Sequence, residues 1–241
     1  MAGIAKSLSG FDDVPDWATR FNYKAHSPSG SGRPNCRQFW EMRARALGLY
    51  TPPGCRMIGG LVCEHFTKDR VIRRIDMGEA YRAAVAEFDE HRIVEHDPTD
   101  AARFATIRDE LYTVPGTDPE ITGTILELTC THTAEGVAQA TRTANRIEEG
   151  RWASVQFDDV ELPFIGQLDI EANGVVEIKT KWPTLSQRAK RGWLVNSLPA
   201  RPDTNHVAQV ALYWCWLRQQ ADNVPVKIVY ANCKGFRGFD S

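Results

Sequence analysis

Residues 164–181 read FIGQLDIEANGVVEIKTK, a run that holds two carboxylates and an ammonium at intervals a β-hairpin can bring together. Strand side chains alternate with a period of two. Gln167 and Asp169 therefore share one face of a first strand, with Leu168 and Ile170 opposite. Glu177 and Lys179 share one face of a second, with Val176 and Ile178 opposite. Two carboxylates side by side repel unless a cation lies between them. Mg²⁺ takes one or two carboxylates and keeps several waters, which leaves room for a phosphate oxygen. A metal so held lowers the pKa of a water and neutralises charge on a scissile phosphate, and a lysine beside it can orient the attacking water or stabilise the developing anion. Asp169, Glu177 and Lys179 are thus the residue types that phosphodiester hydrolysis needs. An E-x-K triplet alone is better explained by a surface ion pair of little energetic worth; the aspartate on the neighbouring strand weakens that reading.

The turn decides whether the charged faces coincide. A two-residue loop, Asn173-Gly174, sets Ile170 opposite Glu177 and mixes core with charge. A three-residue loop, Ala172-Asn173-Gly174, sets Glu171 opposite Val175, Asp169 opposite Glu177 and Gln167 opposite Lys179. Such loops end in a left-handed residue, for which Gly174 is suited. Leu168, Ile170, Val176 and Ile178 are then expected to be buried together on the far face.

Further elements must frame this hairpin. Residues 203–219 form an aromatic-rich helix on which Gln209 and Tyr213, one turn apart, project from the same face. Between the catalytic lysine and that helix lie Lys181, Arg188, Lys190 and Arg191, interleaved with Trp182 and Trp193 and free of acids. These suit phosphate tracking and base stacking. The net charge is −2, which excludes a generally basic nucleic-acid coat but allows one locally positive face for a polyanion.

Residues 1–33 are rich in Gly, Ser and Pro and read as a poorly ordered arm; residues 34–241 read as one domain, with a helical part over 34–150 and an α/β core over 151–241. Helices are expected at 37–50, 57–75, 77–92, 99–112 and, as a polar helix, 133–149. Strands follow at 154–162, 164–170 and 175–179, then the 203–219 helix and a final buried strand at 224–230. This β-β-β-α-β order implies an α/β layered fold with a mixed sheet. No glycine-rich phosphate loop is present. No apolar run approaches the ~18 residues of a membrane span, and the opening residues lack the apolar core of a secretory signal. Both point to a soluble cytoplasmic protein.

GQLD, EIKT and QVALY, in that order and spacing, resemble the RecB-like branch of the PD-(D/E)xK superfamily of nucleases, in which a Q-x-x-x-Y helix follows the catalytic strands. The likeness is to phage exonucleases allied to the CRISPR-adaptation nuclease family, and it covers residues 166–230. It implies a restriction-endonuclease-like mixed sheet flanked by helices, Mg²⁺ or Mn²⁺ as the metal, and DNA as substrate, bound at an end or as a single strand. By the same likeness Asp169 and Glu177 are metal ligands, Lys179 is catalytic, and Gln209 and Tyr213 line the site and contact DNA. Upstream, SPSGSGRPNCRQFW resembles the family's leading segment. The family's Gly-x-x-x-His or Gly-x-x-x-Glu helix corresponds to GGLVCEHF, where either Glu64 or His65 would complete the metal site; after Gly78 the matching position holds Arg82, which is unsuitable.

Relatives with a [4Fe–4S] cluster place one cysteine in the leading segment and three after the helix. Cys36 matches the first, but only Cys215 and Cys233 lie beyond Tyr213. Four thiolates are required, so the spacing argues against a cluster, and the cysteines read as reduced, mostly buried thiols. The resemblance thus implies a metal-dependent DNA exonuclease of replication, recombination or repair, with a recombination or annealing protein as its expected protein partner. For a phage-borne chain the compartment is the host cytoplasm. A structure-specific or flap endonuclease and a non-cleaving DNA-binding module are the alternatives.

Overall fold

The computed structural model of the chain describes residues 55–90, 124–158, 163–185, 193–194, 197–221 and 224–240. The arm over 1–33 and the helices expected at 37–50 and 99–112 lie outside these residues. Among those described, the chain is a mixed α/β structure with four helices around a five-stranded mixed sheet. No helix among them is long and apolar enough to cross a membrane.

Helix α1 (Cys55–Val71) buries Ile58, Val62 and Phe66, spaced one turn apart, and ends four residues before its expected limit, where Arg74 takes a left-handed φ of 59°. Helix α2 (Met77–Glu90) opens where the Asp76 carboxylate accepts the Gly78 amide at 2.8 Å, an N-cap that satisfies an otherwise unpaired donor. Its small residues Ala80 and Ala84 let it lie in one core cluster with α1.

Helix α3 (Ile125–Thr141) corrects the polar helix expected over 133–149. Thr124 caps it by accepting the Glu127 amide at 3.0 Å, the first half of a capping box. Its threonines are buried because they bond their own helix: Thr129, Thr133 and Thr141 donate to the carbonyls of Ile125, Thr129 and Val137 at 2.7, 2.6 and 2.8 Å. The chain then turns, and Glu148–Glu149 forms a short edge strand, β1, instead of extending the helix.

The remaining strands are β2 (Trp152–Val155), β3 (Phe164–Gln167), β4 (Ile170–Glu171), β5 (Val175–Thr180), β6 (Thr184–Leu185) and β7 (Trp193–Leu194). Helix α4 (Thr204–Leu217) then leads to β8 (Val226–Asn232) and β9 (Gly235–Asp240). The main sheet has the order β1-β4-β5-β8-β9, antiparallel throughout except for the parallel pair β5–β8. A parallel neighbour requires a crossover, and α4 supplies it. The last strand is therefore β9, absent from the sequence expectation, and not β8. Strands β2 and β3 pair separately, as do β6 and β7.

Both faces of the main sheet are covered. Helix α3 lies over Ile170, Val176, Ile178 and Val229. Its Gly136 allows the approach, since a Cβ there would come within 2.6 Å of the Val229 side chain. On the other face α4 packs Val210, Tyr213 and Leu217 against Val175, Ile228 and Tyr230. The face that carries Glu177 is thus a covered layer, not a solvated one.

Candidate active site

The β4–β5 hairpin has the pairing that a three-residue loop implies, with Glu171 opposite Val175 and Ile170 opposite Val176. The left-handed residue is Asn173, with φ 57°, not Gly174. Gly174 is needed for space: a Cβ would lie 2.1 Å from the Pro225 carbonyl oxygen.

Beyond Ile170 the chain leaves the hairpin. Leu168 donates its amide to Arg151 at 3.1 Å, and Gly150 donates to the Asp169 carbonyl at 3.2 Å, so this stretch is held by the approach to β2. Three expectations fail at this switch. Asp169 is not paired opposite Glu177, since the register ends at Ile170 and Val176. Leu168 packs with Val175 under α4, on the opposite side from Ile170. Gln167 pairs with Trp152 instead of facing Lys179. The crossing is tight, since a Cβ on Gly150 would lie 1.9 Å from the Leu168 carbonyl oxygen. Gly150→Ala is expected to cost at least about 1–3 kcal/mol and to lower the thermal midpoint by several degrees. An unchanged midpoint in calorimetry would show that this crossing does not constrain Asp169.

Freed from strand pairing, the Asp169 carboxylate turns to β5, where Oδ2 accepts the Ile178 amide at 2.6 Å. Glu177, one residue earlier, is 1% exposed. Its Oε1 accepts Lys179 Nζ at 2.5 Å and Gln209 Nε2 at 2.6 Å, while the buried Oε2 has no hydrogen-bond partner. Gln209 is carried by α4, whose Tyr213 hydroxyl lies 3.4 Å from the same amide and donates to the Gln167 carbonyl at 3.0 Å. Tyr213 thereby braces β3 to the helix and is buried behind the site.

From the other side α1 brings Glu64, which lines one cavity of about 380 Å³ together with Asp169, Glu177, Lys179 and Gln209. Of the two upstream candidates, Glu64 is the one at the site. His65 points away, and its Nδ1 pairs with Glu87 on α2 at 2.5 Å. A helix separates adjacent residues by about 100°, so only one of the pair can face the cavity.

Burial, reinforced by Glu177 and then Glu64, raises the Asp169 carboxyl well above the ordinary range, against the opposing charge of Lys179. Burial likewise raises Glu177, with Lys179 opposing. Burial disfavours the Lys179 charge, yet Glu177 and Asp169 outweigh it and hold its pKa above the usual lysine value. Three carboxylates, from α1, β5 and the bend before β4, therefore act on one another here.

The basic and aromatic candidates divide. Lys181 is partly buried, with its ammonium 5.6 Å from the centroid of the Tyr230 ring. Trp182 is 6% exposed: it packs in the helical core, bonds Thr180 Oγ1 through its indole N–H at 3.0 Å, and borders the cavity that Glu64, Asp169 and Glu177 line. Gly59 on α1 makes room for its ring, since a Cβ would approach it to 2.7 Å. Trp193 is on β7, opposite Leu185. Arg188, Lys190 and Arg191 lie outside the described residues. Cys63, Cys130, Cys215 and Cys233 are free thiols.

Among the described residues no group of three or more His, Cys, Asp or Glu side chains is drawn together closely enough to hold a metal ion; lysines hold two of the three carboxylates instead. The donor set suits a hard divalent cation, because Glu64, Asp169 and Glu177 offer carboxylate oxygens at one cavity. The orphaned buried Glu177 Oε2 is the kind of atom a cation satisfies.

No family model, curated protein or solved structure matches this chain.

Proposed function

We propose that this chain is a metal-dependent deoxyribonuclease of the PD-(D/E)xK type with a restriction-endonuclease-like core, acting as an exonuclease. The observation that carries the reading is the meeting of Asp169, Glu177 and Glu64 with Lys179 around one cavity. The order of β4, β5 and the α4 crossover, with Gln209 hydrogen-bonded to Glu177, supports it further.

Asp169, Glu177 and Glu64 would hold Mg²⁺ or Mn²⁺, which when bound neutralises charge on the scissile phosphate and acidifies a water. The chain's own groups prepare the rest. Gln209 fixes the Glu177 carboxylate, Tyr213 fixes the strand behind it, and Ile178 fixes Asp169. Lys179 stays charged between two carboxylates and is placed to donate to the attacking water or to a phosphate oxygen. Lys181, two residues along, adds positive charge for the DNA backbone.

The test is incubation of end-labelled linear DNA, single- and double-stranded, and of closed circular DNA, with the full chain and Mg²⁺ or Mn²⁺. Cleavage of linear substrates that EDTA stops is the expected result. Cleavage of circles assigns an endonuclease instead. Binding without cleavage under either metal overturns the nuclease reading and leaves a DNA-binding module.

A further inference from the structure

Lys68 takes no part in the chemistry above, yet it is one of the few charged side chains buried among the described residues. Its side chain is 6% exposed, and its ammonium donates to Glu64 Oε1 at 2.5 Å from one turn further along α1. A buried ammonium is costly unless paired, so this partner is expected on stability grounds alone. Its place in the molecule says more. Three carboxylates crowd one cavity, and the fold answers with two lysines, one on Glu177 and one on Glu64. Lys179 lines the cavity and is within reach of a substrate; Lys68 does not line it. Lys68 is a fixed cation behind the site.

A glutamate on a helix has several rotamers to lose before it can act as a ligand. Pinning Oε1 removes most of that freedom and leaves Oε2 as the oxygen to meet a cation. We infer that Lys68 is a positioning residue, which orients Glu64 so that a divalent cation is bound by all three carboxylates. This rests on the cation-binding reading of the site given above.

The experiment measures Mn²⁺ affinity of the full chain, without DNA, from the paramagnetic resonance signal of free Mn²⁺. Removing the hydrogen-bond partner of a metal ligand typically weakens binding about 10–100-fold, and Lys68→Met is expected to do so. In a Glu64→Gln background the same change should have no further effect, because Lys68 acts through Glu64. A merely structural ion pair would behave differently: Lys68→Met would lower the thermal midpoint of the metal-free chain and leave the Mn²⁺ affinity of the folded molecules unchanged. Unchanged or tighter binding overturns the inference, as do equal losses in both backgrounds. Should the methionine variant fail to fold, Lys68→Leu fills the same buried position without a donor; it is expected to lose affinity in the same sense, and wild-type affinity there overturns the proposal. A wild-type chain that binds no Mn²⁺ sinks the cation site itself, whereas equal binding by wild type and Lys68→Met sinks only the role of Lys68.

Discussion

Glutamine in place of Glu177 is expected to lower metal-dependent DNA cleavage by at least about 10²–10³-fold in a chain that still folds. The side chain is almost wholly buried and bonds through one oxygen only, to Lys179 and Gln209. Glutamine is nearly isosteric, and its carbonyl oxygen can keep both donors. Its NH₂ group then takes the place of Oε2, the atom that has no partner, and can approach the Asp169 carboxylate. What is lost is one negative charge and one cation ligand, not the packing. A fall in cleavage with unchanged near-UV circular dichroism therefore reports on chemistry. Glu148→Gln, made on an exposed edge strand away from the cavity, controls for the general effect of removing a carboxylate. Cleavage by Glu177→Gln at the wild-type rate would remove Glu177 from catalysis, and the nuclease reading would go with it.

The hairpin was legible because its signal is local. Charged and apolar residues alternate on both sides of Ala172-Asn173-Gly174, and an odd loop length, three being the shortest, keeps them in phase, so Glu171 meets Val175 as expected. The helix that opens at Thr124 was placed too late, at 133–149, because its threonine-rich run reads as polar. Nothing local says that those hydroxyls are satisfied by their own helix. Other features depended on partners distant along the chain. Gly174 is required by Pro225, Gly59 makes room for Trp182, and Leu168 changes sides where Arg151 accepts its amide and Gly150 donates to the Asp169 carbonyl. Strand β9, GFRGFD, is an edge strand with two glycines, so it lacks the continuous apolar signal of β8. Glu64 and Lys68 form an i,i+4 pair that the sequence reading did not single out. Only the placement of α1 beside β5 gives it meaning.

Asparagine at Asp169 is expected to abolish cleavage and, in the absence of divalent cation, to make the fold more stable. Burial and the charges of Glu177 and Glu64 raise the Asp169 carboxyl well above the ordinary range, whereas in an unfolded chain it titrates near ~3.9. Between these two values the folded state binds more protons than the unfolded one, so its stability falls as pH rises. The contribution of Asp169 is thus fully present below the unfolded value and is lost as pH passes through the raised folded value; Glu177 shifts in the same direction. Asparagine cannot ionise, and its amide oxygen can still accept the Ile178 amide that Oδ2 now accepts. In EDTA the thermal midpoint of Asp169→Asn should therefore exceed that of the wild type, by a margin that grows with pH across this window. Mg²⁺ should reverse the order: a cation that binds only the folded state stabilises it in proportion to occupancy, and the variant lacks a ligand. Midpoints measured from pH 4 to pH 8, with and without Mg²⁺, test both halves. A variant less stable than wild type at neutral pH in EDTA would mean that Asp169 supports the fold through its charge, and that the carboxylate cluster is held together without a cation.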